Sequence, residues 1–273
     1  MKRISMLIAA VLAAAPALAS AQALTVKGSD TMVIFAQRWA EAYMKKAAGK
    51  KVQVTGGGSG TGLAALINGT TDVANASRNI KESEQSKLRE RFNLLAAETT
   101  VAKDGVTFYV HASNPVEQLT VAQLKAIYVG DVTNWKQVGG RDEPIVLYSR
   151  ENSSGTYVFV KETVLGNEDY AASAQTLPGT AAVVNAVARE AKGIGYGGAA
   201  YAKGVKELRI VGKDGKGHLP NADEVRSGSY PLSRGLFMYT RGKPQGDAKA
   251  FIEYCLSPEG QAIATQVGYF PVR

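Results

Sequence analysis

The chain has a single cysteine, Cys255, and only two histidines, His111 and His218, among 273 residues. One cysteine excludes an internal disulfide framework and any cysteine-rich zinc site. Two histidines far apart and in no ligand spacing argue against a histidine-based metal centre. Long apolar runs are also missing: Met6–Ala15 is the one such stretch, and it is too short to span a bilayer. No repeat with a period of roughly 20–50 residues is visible, and no short period supports a collagen-like or coiled-coil reading. Glycine is plentiful, at 29 residues, and 45% hydrophobic against 21% charged residues suffices to bury a core and exclude a disordered chain. At roughly 100–200 residues per domain, the length suits one large domain or two modest lobes.

Charge is unbalanced, with 32 Lys+Arg against 24 Asp+Glu, a formal +8. Part of this excess sits in residues 1–21, which read as a secretory signal peptide. Lys2 and Arg3 form a positive start, Met6–Ala15 the apolar stretch, and Ala19-Ser20-Ala21 a small-residue cleavage site near Ala21. No cysteine stands there, so no lipid anchor is signalled. Cleavage removes Lys2 and Arg3 and no acid, lowering +8 to +6. The expectation is a soluble exported protein, best suited to a bacterial periplasm. The remaining Lys and Arg are dispersed, which disfavours nucleic acid as a partner.

After the signal, β-type runs, Gly/Ser/Thr turns and helical patterns alternate, the signature of an α/β protein. Strands are expected at Leu24–Lys27, Val52–Thr55, Asp72–Ala76, Val106–Ala112, Ile145–Tyr148, Leu208–Val211 and Leu236–Thr240. Helices are expected after residue 31, from near Leu63, and over Glu82–Arg91, Thr120–Tyr128, Tyr157–Leu165 and Thr180–Ala191. Two more, near Gly246–Cys255 and Ser257–Val267, close the chain. Gly193–Gly198 reads as a glycine-rich turn and Gly212–Ser229 as loop. Trp39 and Trp135 read as packing residues, Cys255 as a buried small hydrophobe and Glu82–Arg91 as a solvated face.

Three loops share one construction, a strand, a Ser/Thr/Gly turn and a helix: Gly28-Ser29-Asp30-Thr31, Ser59-Gly60-Thr61 and Ser154-Gly155-Thr156. Helix N-termini present unpaired N–H groups and the positive end of the macrodipole, so they attract anions. Serine and threonine hydroxyls add compact donors, and glycine permits close approach. Arg150, four residues before Ser154, adds a cationic fork suited to a tetrahedral oxyanion. Taken singly, each loop is also an ordinary N-cap. Gly56–Gly62 lacks the lysine of a P-loop and the acidic partner of a dinucleotide site, so a nucleotide is disfavoured.

These residues, together with Gly57-Gly58-Ser59-Gly60-Thr61-Gly62, Asn75-Ala76-Ser77-Arg78, Thr133-Asn134-Trp135 and Arg150-x-x-x-Ser154-Gly155-Thr156, carry a resemblance. Leu119-Thr120, Ile127-Tyr128, Ile194-Gly195-Tyr196-Gly197 and Tyr230-Pro231-Leu232 extend it over nearly the whole mature chain. The sequence resembles the phosphate-binding proteins of bacterial ABC importers, the periplasmic component of the Pst system. The resemblance implies a two-lobed, type II-like periplasmic binding protein fold of the α/β class with a hinge of crossing strands. Lobe 1 is placed at residues 22–104 plus 230–273 and lobe 2 at 105–229, with hinge candidates at Val106–Ala112 and Leu236–Thr240. It further implies ligand binding by Ser29, Asp30, Thr31 and Ser59 from one lobe and by Arg150, Ser154, Gly155 and Thr156 from the other.

One departure stands out. Well-known family members place an Asp after the third strand to accept a hydrogen bond from protonated phosphate, whereas this chain has Ser77 followed by Arg78, as the short branch of the family often does. A fully ionised sulfate cannot donate that bond, so the loss of the carboxylate bears on selectivity. Asp30 either supplies the missing acceptor or caps its own helix. Arg78 either contacts ligand, the preferred reading, or forms a lobe-to-lobe ion pair.

The leading expectation is a monomeric, non-catalytic receptor without cofactor or metal that passes inorganic phosphate to an ABC transporter permease. The alternatives are a receptor for sulfate, molybdate or tungstate, or a sensor or adhesion protein of the same fold. A phosphate-cleaving enzyme is disfavoured, because no Ser/His or Cys/His arrangement suggests a nucleophile.

Overall fold

Alternating burial makes the first β-branched run a strand, β1 (Leu24–Gly28), with Leu24 and Val26 inward. It leads into α1 (Asp30–Lys46), which buries Phe35, Ala36, Trp39, Ala40 and Tyr43 along one face. The structure, a computed structural model, describes residues 23–272, so the expected signal segment lies outside the described residues. Next come β2 (Val52–Thr55), α2 (Ser59–Asn68), β3 (Val73–Ala76), α3 (Glu82–Phe92) and β4 (Ala96–Val110). The middle of the chain supplies β5 (Gln118–Thr120), α4 (Val121–Val129), β6 (Val146–Arg150), α5 (Gly155–Thr163) and β7 (Gln175–Leu177). It continues with α6 (Thr180–Arg189), β8 (Gly193–Gly198), β9 (Lys206–Glu207), β10 (Arg209–Val211), β11 (Gly217–His218) and α7 (Ala222–Ser227). The chain ends with β12 (Ser233–Arg241), α8 (Gly246–Leu256) and α9 (Pro258–Val267). No described helix is long and apolar enough to cross a membrane.

The main sheet runs β2-β1-β3-β12-β4-β8-β6-β7, with β9 added beside β4. β1 pairs in parallel with β2 and β3, and β6 in parallel with β7 and β8. The antiparallel β4 and β12 join these two parallel halves. β4 does so by changing partners along its length: Ala96–Gly105 pairs with β12, and Val106–Val110 with β8. Separate cores form on either side of that change. One is built from residues such as Val26, Phe35, Trp39, Met238 and Phe251, the other from Phe108, Leu124, Tyr128, Trp135 and Tyr196. The result is the two-lobed α/β architecture with crossing strands that the motifs implied.

Several elements differ from expectation. Gly193–Gly198 is a fully buried strand rather than a turn. Its glycines let α6 press onto the sheet, since a Cβ at Gly195 would lie 2.5 Å from Val183 Cγ1 and one at Gly197 2.6 Å from Thr180 Cγ2. β4 begins ten residues earlier than Val106, because the polar alternation of Ala96–Asp104 gives little apolar signal. α2 starts at Ser59, not near Leu63, so the Ser-Gly-Thr-Gly run is its first turn. Gly212–Ser229 contains β11 and α7. Trp39 and Trp135 are packed as expected, and their indole N–H groups donate to the carbonyls of Gly260 and Lys192. Cys255 is buried, and Leu88 is the one buried residue of α3.

His218 lies between two carboxylates, 3.0 Å from Asp214 and 3.2 Å from Glu224. Only an imidazolium can donate from both ring nitrogens. The hydrogen bond to Asp214, then that to Glu224, holds the histidine above its usual value of 6.5. This stabilisation is fully present below the unfolded-state value and is lost as pH rises through the higher folded-state value. Melting temperatures of the wild type and His218→Gln are therefore expected to differ most near pH ~6 and to converge toward pH ~9. A gap that widens with pH would contradict this.

Candidate functional site

Three helix N-termini meet where the two halves of the sheet face each other: α1 and α2 from one side, α5 from the other. Their first-turn N–H groups have no intrahelical acceptor and sum to a positive partial charge. Ser29 takes the N-cap position of α1 without capping it, which leaves its hydroxyl for Ser77, 2.9 Å away. The Ser77 N–H donates to Ser59 Oγ at 3.0 Å, and the two hydroxyls lie 3.4 Å apart. Ser154 caps α5 by accepting from the Tyr157 N–H at 3.2 Å. All of Ser29, Thr31, Ser59, Ser77, Ser154 and Thr156 are buried, so each hydroxyl needs a partner in the site.

Contacts across the seam are close. The Thr31 and Thr156 hydroxyls lie 2.9 Å apart, and the Gly60 N–H donates to the Ser153 carbonyl at 2.8 Å. Gly155 sits against the hydroxyls of the opposite lobe. A Cβ there would lie 2.3 Å from Ser59 Oγ and 2.6 Å from Ser77 Oγ. Glycine is thus the residue that allows α5 to approach this nearly.

Arg150, at the end of β6, is 1% exposed. Its guanidinium donates to Thr180 Oγ1 and Asp30 Oδ2, both at 2.9 Å, and to the two carboxylate oxygens of Glu151 at 3.1 and 3.2 Å. Burial opposes ionisation of Glu151, but the bonds and charge of Arg150 outweigh it and hold the carboxyl below its usual range. Asp30 does not cap its own helix. Its Oδ1 accepts from the Gly57 N–H at 2.7 Å, while Oδ2 faces Arg150.

Arg78 does not form a lobe-to-lobe ion pair. Its terminal nitrogens meet both carboxylate oxygens of Glu84 at 2.8 Å and the Asn79 carbonyl, an ion pair within one lobe. The remaining nine candidates, Ser29, Asp30, Thr31, Ser59, Ser77, Arg150, Ser154, Gly155 and Thr156, are brought together.

A further buried cation, in addition to Arg150 and Arg78, was not evident from the sequence. Arg234, on β12, pairs with Asp104 on β4 through two bonds of 2.7 and 3.0 Å and donates to the Ser77 carbonyl at 3.0 Å. Burial pushes the Asp104 carboxyl up, against the pull of Arg234. Arg234 also lies 5.3 Å from the centroid of the Phe159 ring on α5, so the hinge strand touches both lobes. Only the strand register, which sets Arg234 opposite Asp104, brings the pair together. Charges buried at a strand junction were the available signal, and they carry no pairing information by themselves.

A family profile described as a PBP superfamily domain matches residues 13–259. Phosphate-binding protein PstS of Staphylococcus epidermidis is 35% identical over 253 residues, covering 89% of this chain and 77% of the relative. PstS of Pseudomonas aeruginosa is 32% identical over 263 residues, covering 90% of this chain and 81% of the relative. Among solved structures, a candidate phosphate ABC transporter substrate-binding protein of Clostridium perfringens with bound phosphate superposes with a TM-score of 0.84. It is 29% identical and covers 92% of this chain and 100% of its own. An ABC-type phosphate transport receptor from Vibrio cholerae gives a TM-score of 0.74 at 29% identity, over 90% of this chain and 99% of its own.

Proposed function

The chain belongs to the PBP superfamily and, within it, to the family of PstS phosphate-binding proteins, and from that premise we propose that it captures inorganic phosphate between its lobes and delivers it to an ABC transporter. The observation that carries this reading is the convergence of three helix N-termini on buried Arg150. Fixed N–H and O–H dipoles solvate a small anion without the reorganisation that water requires. The proposed ligand groups are the hydroxyls of Ser29, Thr31, Ser59, Ser77, Ser154 and Thr156, the first-turn amides including those of Asp30 and Gly155, and Arg150. Arg78 has its terminal nitrogens held by Glu84 and Asn79, which leaves its buried Nε–H as its remaining donor.

Lobe 1 is proposed as residues 22–104 plus 230–273 and lobe 2 as 105–229, turning about the point where β4 changes partners. A monomer exported through cleavage near Ala21, binding one anion without turnover, completes the reading. Calorimetric titration with phosphate should give one-to-one binding, and small-angle scattering should show compaction. An unchanged radius at saturating phosphate would sink lobe closure.

A second reading, a receptor for sulfate or a related oxyanion, draws on one observation. Both Asp30 oxygens are engaged and Ser77 replaces a carboxylate, so hydroxyls are the available acceptors for a ligand proton. Hydroxyls accept as readily as they donate. Competition calorimetry between phosphate and sulfate from about pH 5 to pH 8 decides the matter. Phosphate is expected to hold the site; equal displacement by sulfate would transfer the assignment.

A further inference from the structure

Beside the cradle, a groove of about 450 Å³ follows the seam between the lobes. One wall is the outer face of α1 with the end of α9, and the other is the Ala200–Lys203 segment that follows β8. Its apolar surface includes Ile34, Ala42, Ala200 and Val267. Ile34 is 43% exposed, one of three exposed large hydrophobics among the described residues, and here it adjoins other apolar surface. Arg38, Lys45 and Lys203 stand around this surface, with Glu41 the one acid. Lys46, at the end of α1, and Lys50, just beyond it, are neutralised by Glu259 and Asp247, whereas Arg38 and Lys45 make no ion pair among the described residues. Tyr201 ties the groove to the cradle, donating from its hydroxyl to the Asp30 carbonyl at 2.8 Å across the seam.

We propose that this groove is the docking surface for an acidic, apolar-tipped segment of the membrane transporter, read only when the lobes are closed. The proposal rests on the transport reading above. An apolar floor inside a cationic rim complements a segment pairing aliphatic with carboxylate side chains. Because its walls come from different lobes, opening the hinge separates them and takes the surface apart. The bond from Tyr201 makes the position of α1, whose N-terminus faces the anion, part of the same arrangement. Occupancy of the cradle and completeness of the groove are thereby coupled through differential contacts in the closed state.

The test uses the full mature protein with its cognate transporter in proteoliposomes, reading phosphate-dependent ATPase stimulation. Ile34→Asp and the double variant Arg38→Glu/Lys203→Glu alter exposed side chains outside the cradle. Both are expected to bind phosphate with wild-type affinity in calorimetry while losing about tenfold or more of the stimulation. Stimulation by the wild type should also fall as salt rises, since rim charges act largely through encounter. Leu95→Asp, at an exposed leucine outside the groove, serves as control. Full stimulation by both groove variants, or an equal loss in the control, overturns the docking surface alone. A wild type that binds no phosphate overturns the transport reading, and the assignment of this partner with it.

Discussion

Arg150→Ala is expected to abolish measurable phosphate binding and to lower the melting temperature as well. The guanidinium is buried and bonded to Asp30, Glu151 and Thr180. Truncation removes the full positive charge bonded to Asp30 at the start of α1, and leaves only Arg234, already paired with Asp104, beside Ser77. It also leaves the carboxylates of Asp30 and Glu151 facing each other, and an incoming anion, without compensation. Breaking a buried pair by deleting one partner costs about 3–5 kcal/mol of stability, which is the source of the lower melting temperature. Arg150→Lys should recover only part of this, because an ammonium cannot keep a planar fork on three partners at once. Calorimetry on the three proteins, with thermal unfolding alongside, checks the ordering wild type, Lys, Ala. Retention of wild-type affinity by Arg150→Ala would remove the cradle from consideration.

The second large effect needs no change of charge. Gly155→Ala inserts a methyl group where Ser59 Oγ and Ser77 Oγ stand 2.3 and 2.6 Å from the ideal Cβ position. Both neighbours are buried, so neither can swing into solvent. Relief comes most directly from backing α5 away from the opposite lobe, which also separates Thr156 from Thr31 and Arg150 from Asp30. Overpacking of this kind costs about 1–3 kcal/mol, or roughly 5- to 150-fold in affinity. The isolated lobes should be no less stable, since the clash arises only across the seam, between α5 and the opposite hydroxyls. The expected pattern is a weakened titration, a scattering radius that stays large with phosphate, and an unchanged or raised melting temperature without it. A fall in melting temperature with normal closure would show that the contact lies elsewhere.

Much of this was legible in the chain. The apolar alternation of Leu24–Gly28 and the one-sided stripe of α1 specify a strand and a helix by local period alone. Thr120 and Gln123 form the reciprocal cap expected at a helix start, with bonds of 2.9 and 3.1 Å. The Ser/Thr/Gly runs marked the strand-to-helix turns, and nine of the ten singled-out residues meet at the seam. Where the reading slipped, the local signal was absent or ambiguous. Gly193–Gly198 has turn-like composition, and only the pressure of α6 against it explains why a buried strand is made of glycines. The start of β4, Ala96–Asp104, carries few large apolar side chains, and it becomes a strand by pairing with β12.

Residue types and their spacing determined by themselves the α/β class, the strand-turn-helix loops and their aptness for a small anion. These follow from the period of burial, from capping and from the dipoles of helix ends, all of which act within a few residues. What tertiary structure alone decided was the assignment of charges. It gave Arg78 to Glu84, set Asp30 against Arg150 and Gly57 rather than its own helix, and joined Asp104 to Arg234 across the crossing strands. The reason is physical: a buried charge takes whichever opposite charge or dipole lies within about 3 Å. Which groups come that near is set by strand register and lobe closure, between residues as much as 130 positions apart.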